Sequence, residues 1–115
     1  MKTLAHYLIS PQALAELSDS QWDILLRQAQ SARLHGSIAH MAPATEYSKV
    51  VTRQLQSARV VSQANQRAVH WELSELKKTL APLGIPLIAL KGAAYVLRDL
   101  PCARGRFLTD VDILV

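Results

Sequence analysis

Near the end of the 115-residue chain two carboxylates, Asp110 and Asp112, flank a single apolar residue and precede Ile113-Leu114-Val115. On an extended strand, residues two apart point to the same side, with Cα atoms about 6.7 Å apart. Two like charges held that way repel unless a cation compensates them. Two oxygen donors on one face suit Mg²⁺, which completes its shell with waters and phosphate oxygens. Standing alone, the pair reads more simply as two solvated aspartates at the head of a strand. It does not stand alone, because Lys91-Gly92 lies upstream, between the apolar run IPLIAL and the helix-forming run AAYVLRDL. A glycine turn leading from strand to helix presents free backbone N–H groups to an anion. Phosphate and metal sites would then be neighbours.

Those residues need elements to position them. Residues 85–90, bounded by Gly84 and Gly92, read as a short strand buried on both faces, residues 93–100 as a short helix, 101–106 as a loop and 110–115 as a second strand. Upstream, 11–17 reads as a short proline-started helix. Ser18 and Gln21 have capping-box spacing and Leu17 with Trp22 the spacing of a hydrophobic staple, so a helix is expected from Ser18 to about Leu34 with Gly36 as its stop. From about Thr45 to Leu83 no glycine occurs and the only proline is Pro82, which predicts one long helix or two collinear ones ending at Gly84. Its expected buried stripe comprises Val50, Val51, Leu55, Ala58, Val61, Ala64, Ala68, Trp71, Leu73, Leu76 and Leu80. The division expected is a helical region over 1–84 and the start of a catalytic domain over 85–115.

Half of the residues are hydrophobic and only six are aromatic, a composition that favours helix-rich packing over an all-β sandwich. The net charge of +4 comes mostly from residues 46–84, which hold six basic and three acidic groups. Because these cations are spread along a helix, they favour a solvated face over a nucleic-acid interface without removing the latter. Cys102 is the single cysteine, which rules out an internal disulfide and makes the cytoplasm the expected compartment. The N-terminus is a poor signal peptide, and no run reaches the roughly 20 apolar residues of a membrane span. His6, His35, His40 and His70 are too scattered for a metal site.

The stretch LIALKGAAYVLRDLPCARGRFLTDVDILV resembles the core of the uncharacterised nucleotidyltransferases of the polymerase-beta-like superfamily. In that family an apolar strand ends in Leu-Lys-Gly and a short helix follows. Then come an Arg, three residues, and Asp-hydrophobic-Asp-hydrophobic-Leu-Val. Here these are Leu90-Lys91-Gly92, Arg106, Asp110, Asp112, Leu114 and Val115, and the resemblance spans about residues 84–115. It implies an α/β (α+β) fold in which the helical region and its long helix lead into the first strand–helix–strand of a nucleotidyltransferase sheet. It also implies that Asp110 and Asp112 are catalytic and hold Mg²⁺ (or Mn²⁺), and that Gly92 and Ala93 lie against a nucleoside triphosphate. The superfamily prefers Gly-Gly or Gly-Ser at the turn, so Ala93 forgoes a hydroxyl contact to phosphate and keeps its backbone donor. Lys91 and Arg106 are candidates to neutralise phosphate charge, or equally surface or structural ion-pairing residues.

The implied reaction is metal-dependent transfer of a nucleoside monophosphate from a triphosphate to an acceptor the sequence leaves open. The superfamily places a third carboxylate on a later strand, and none follows Val115, so the chain is expected to be a fragment of a longer protein and inactive by itself, the activity belonging to the longer protein. A dinucleotide-binding unit is disfavoured, because only one glycine serves the turn and the acids precede the apolar ILV. The non-enzymatic alternative is a helical module that binds a protein or nucleic acid, with a degenerate nucleotidyltransferase core as scaffold.

Overall fold

A computed structural model describes residues 1–115. It contains five α-helices and one small antiparallel ribbon: α1 (Leu4–Ile9), α2 (Asp19–Ser31), α3 (His35–Met41), α4 (Lys49–Leu80), β1 (Ile88–Ala89), α5 (Lys91–Leu97) and β2 (Ile113–Leu114). The expected α+β class holds. Pro11–Glu16 is a 3₁₀ helix rather than an α-helix, and α1 was not foreseen.

The capping box at the start of α2 is formed as its spacing predicted. The Gln21 amide donates to Ser18 Oγ at 3.3 Å, and the Ser18 amide donates to Gln21 Oε1 at 2.9 Å. The expected end of that helix is corrected. The chain leaves α2 at Ser31 through Arg33, which adopts φ 58, with the Leu34 amide donating to the Ala29 carbonyl and the Arg33 amide to that of Gln30. These are the two bonds of a Schellman ending. Gly36 is therefore no stop; it lies inside α3, buried. The missing side chain lets α3 approach the backbone of Gly105, because a Cβ on Gly36 would collide with the Gly105 carbonyl oxygen, Ser62 and Phe107. The long helix begins at Lys49, later than expected, and its α-helical part ends at Leu80; a 3₁₀ turn over Ala81–Leu83 follows, and Gly84, at φ 68, ends that turn where the stop was expected.

α4 is the spine, with 32 residues spanning about 48 Å at 1.5 Å per residue in a molecule 56 Å long. Its buried positions are Val51, Leu55, Ala58, Ser62, Val69 and Leu73. The expected stripe was too broad: Val50, Val61, Ala64, Ala68 and Trp71 are exposed, Trp71 at 67%. A seam stepping by threes and fours from Val51 leaves those positions off the packed face. Its N-terminal half supplies Val51, Leu55 and Ala58 to a core with Trp22, Leu25 and Ile38. Its C-terminal half supplies Val69 and Leu73 to a second core with Ala93, Val96 and Ala103.

The ribbon is shorter and wetter than the two expected strands. Ile88 pairs with Leu114 and Ala89 with Ile113, and Ile88 and Leu114 are each about half exposed. The first strand is therefore not buried on both faces. Val111, Ile113, Leu87 and Ala89 turn toward the second core, so only one side of the ribbon is covered.

Two predictions follow from how α3 meets the later loop. Gly36→Ala should destabilise by about 1–3 kcal/mol, as overpacking does when the obstructing atom is backbone, and an unchanged thermal melt would refute the close approach. His35, at the start of α3, stacks on Phe107 with ring centroids 4.2 Å apart, and burial lowers its pKa below the usual value. The unfolded chain then binds the extra proton more readily, so this contribution is present above about pH 6.5 and lost as pH falls below it. Urea titrations at several pH values should show that loss, and His35→Phe, which keeps an aromatic ring but cannot titrate, should flatten the dependence.

Candidate functional site

The apolar ends of β1 and β2 bring the two candidate segments side by side. The Leu90 amide donates to the Asp112 carbonyl at 2.9 Å, and Lys91 Nζ lies 3.3 Å from Asp112 Oδ2. The lysine of the turn and the second aspartate thus meet through both backbone and side chain. The ion pair is well exposed, with side-chain exposures of 78% and 40%. Alternation along the acidic segment is as expected in one respect: Val111 and Ile113 pack on the core, while Asp110 is exposed and Asp112 half-buried.

Lys91 stands at the first position of α5 with φ 54, a left-handed conformation for a residue with a Cβ. The turn and the helix start therefore coincide, two residues earlier than the sequence suggested. Gly92 is buried, and a Cβ there would press on Leu108 Cδ2 at 2.5 Å. Packing accounts for that glycine. Ala93 is also buried, in the second core. The Arg106 guanidinium comes within 3.6 Å of the same Cβ position and lies 5.7 Å from the centre of the Tyr95 ring, so Arg106 and Gly92 are neighbours.

Asp110 lies toward α4. It lines a cavity of about 160 Å³ with Asn65, Val69, Glu72, Leu108 and Thr109 among its walls. No group of three or more His, Cys, Asp or Glu side chains is gathered in the structure.

Sequence reasoning missed the residues that hold the acidic segment to the spine. Asn65 Nδ2 donates to the Leu108 carbonyl at 2.8 Å and the Leu108 amide donates to Asn65 Oδ1 at 2.8 Å. Gln66 Nε2 donates to the carbonyls of Ala103, at 2.5 Å, and Arg106, at 3.1 Å. The available signal was a polar Asn-Gln pair where the apolar seam of α4 lapses between Ser62 and Val69.

The sequence model of the uncharacterised nucleotidyltransferase family matches residues 18–115, so the chain belongs to that family. Searches of the curated proteins and of the solved structures give no match. The family match begins at the residue that caps α2 and so takes in the helices as well as the Lys-Gly turn and the acidic pair. Membership gives the coarse assignment, a nucleotidyltransferase-like function. No helix is long and apolar enough to cross a membrane.

The backbone at Lys91 yields a prediction whose sign is set by two competing magnitudes. Glycine would relieve a left-handed conformation costing about 1–2 kcal/mol, against the loss of an exposed ion pair contributing about 0–1 kcal/mol. Lys91→Gly should thus equal or exceed the parent in urea-unfolding stability, whereas Lys91→Val, β-branched at positive φ, should fall below it. Equal losses in both variants would mean that the ion pair outweighs the strain.

Proposed function

We propose that the chain carries the nucleotide- and metal-binding elements of a nucleotidyltransferase of the polymerase-beta-like type, which moves a nucleoside monophosphate from a triphosphate to an acceptor. The acceptor oxygen bonds to the α-phosphorus, the bond from that phosphorus to the α–β bridging oxygen breaks, and pyrophosphate leaves with the electron pair. The observation that carries this reading is the meeting of Lys91 with Asp112 across the ribbon, which sets a cation of the turn against a carboxylate of the acidic segment. Gly92 adjoins Lys91 in the chain and packs beside Arg106, while Asp110, two residues before Asp112, lines the cavity against α4.

The donor set suits Mg²⁺ (or Mn²⁺): two carboxylates, both open to solvent to differing degrees, leave room for the waters and phosphate oxygens that such an ion keeps. Asp110 and Asp112 are its proposed protein ligands and the catalytic carboxylates. When bound, the ion supplies charge neutralisation and Lewis acidity at the transferring phosphate. Lys91 and Arg106 are cations for the rest of the triphosphate, Lys91 as an exposed point charge and Arg106 as a planar donor braced on Tyr95. Gly92 and Ala93 are proposed to offer main-chain amides, their side-chain positions being taken up by packing against Leu108 and in the second core.

Replacing Asp110 or Asp112 with Asn keeps size and removes the charge that recruits the ion. Transfer of labelled α-phosphate from a nucleotide mixture should fall roughly a thousandfold or more, a loss of several kcal/mol of transition-state stabilisation. Helical circular dichroism should be unchanged. Full metal-dependent activity in both variants would overturn the ligand assignment. A parent protein that binds nucleotide and transfers nothing would instead favour the binding-only role.

A further inference from the structure

The acidic segment is held in place by surprisingly few bonds. From Phe107 to Val111 the main chain makes hydrogen bonds within the protein only through Leu108, and both go to the side chain of Asn65. After it come the Leu90 amide's bond to the Asp112 carbonyl and the two residue pairs of the ribbon. A carboxamide is unusual in presenting a donor and an acceptor in one plane, the same pairing a neighbouring strand would offer. Asn65 therefore takes the part of a missing strand at Leu108, two residues before Asp110. It is also a wall of the cavity that Asp110 lines. One residue on, Gln66 holds the carbonyls of Ala103 and Arg106, which fixes the loop just upstream.

We propose that Asn65 is a positioning residue for the acidic pair: its two-bond clamp on Leu108 sets where Asp110 stands relative to Asp112, whose carbonyl the Leu90 amide already ties to the turn. The inference rests on the ligand role proposed for those aspartates. Asn65 touches neither nucleotide nor ion in this reading, and acts through the main chain of residues 108–112. Ala cannot form either bond. Gln keeps both donor and acceptor, but its extra methylene displaces the point at which they meet Leu108.

The test uses the intact 115-residue chain and two readouts, amide hydrogen exchange at residues 108–112 by NMR and Mn²⁺ affinity by titration calorimetry. The variants are Asn65→Ala and Asn65→Gln, with Ile38→Val in the distant core as a control for general loosening. In Asn65→Ala the Leu108 amide should lose its protection and Mn²⁺ should bind about 10-fold or more weakly, the scale of loss when the groups that orient metal ligands are removed. Asn65→Gln should keep a melting temperature close to the parent's yet still bind Mn²⁺ more weakly, a split that a purely structural role would not produce. Ile38→Val should leave Mn²⁺ affinity unchanged. Undiminished protection of Leu108 in Asn65→Ala would overturn the clamp, and parental Mn²⁺ affinity in both Asn65 variants would overturn its positioning role. If the parent itself binds no Mn²⁺, the metal reading of the aspartates fails separately. The clamp then stands or falls on the exchange of the amides from Leu108 to Asp112.

Discussion

One face of α4 has to serve two cores and a loop at the same time. Its ends do this with apolar side chains, each stabilising by about 1.5–3 kcal/mol when fully buried. Midway the requirement changes, because the 103–108 segment crosses the helix there and brings main-chain polar groups against it. Asn65 and Gln66 satisfy the Leu108 amide and the carbonyls of Ala103, Arg106 and Leu108. Leaving such groups without partners costs about 1–3 kcal/mol each, which together outweighs what one more leucine in the seam would contribute. The lapse in the apolar stripe is therefore the point where the helix binds the segment leading into the acidic pair to itself.

The ribbon cannot perform that task. Two paired residues per strand, covered on one side only, specify register weakly. Tethers on either flank make up the difference. On one flank α3 presses Gly36 against Gly105 and stacks His35 on Phe107; on the other α4 holds Leu108. Gly92 completes the arrangement by leaving space for Leu108 and the Arg106 guanidinium. Glycines 36 and 92 thus share one purpose, close packing around a segment with little secondary structure of its own.

How much of this could be read from the sequence depends on the range of the forces involved. The α2 cap, the Gly84 stop and the long helix are written in neighbouring residues, and local chemistry decided them. The end of α2 was misplaced because Arg33 takes the left-handed position that glycine usually occupies, and Asp99 does the same after α5. Gly36 looked like punctuation, but its partner is Gly105, far along the chain. The stripe on α4 was drawn too wide because valine and tryptophan count as apolar in any pattern, while the packed face is chosen by what lies opposite. At the site, the Lys-Gly turn and the acidic pair were legible from spacing. Their union through Leu90, Lys91 and Asp112 needed the fold, and Asn65, 43 residues from Leu108, had no local signature beyond being polar in an apolar row.

The pairing of Lys91 with Asp112 joins the turn to the acidic segment through side chains as well as main chain. Within this ion pair each charge partly compensates the other. Its exposure keeps it weak, about 0–1 kcal/mol, so it orders the turn against the acidic segment without holding either group tightly. On the proposed reading a divalent cation draws on the Asp112 carboxylate and a triphosphate on Lys91, and each finds a group that is released at little cost. A buried pair in the same place would be far harder to part, since removing one partner strands the other's charge at several kcal/mol. On the proposed reading, the weakness of the contact leaves both residues free to bind.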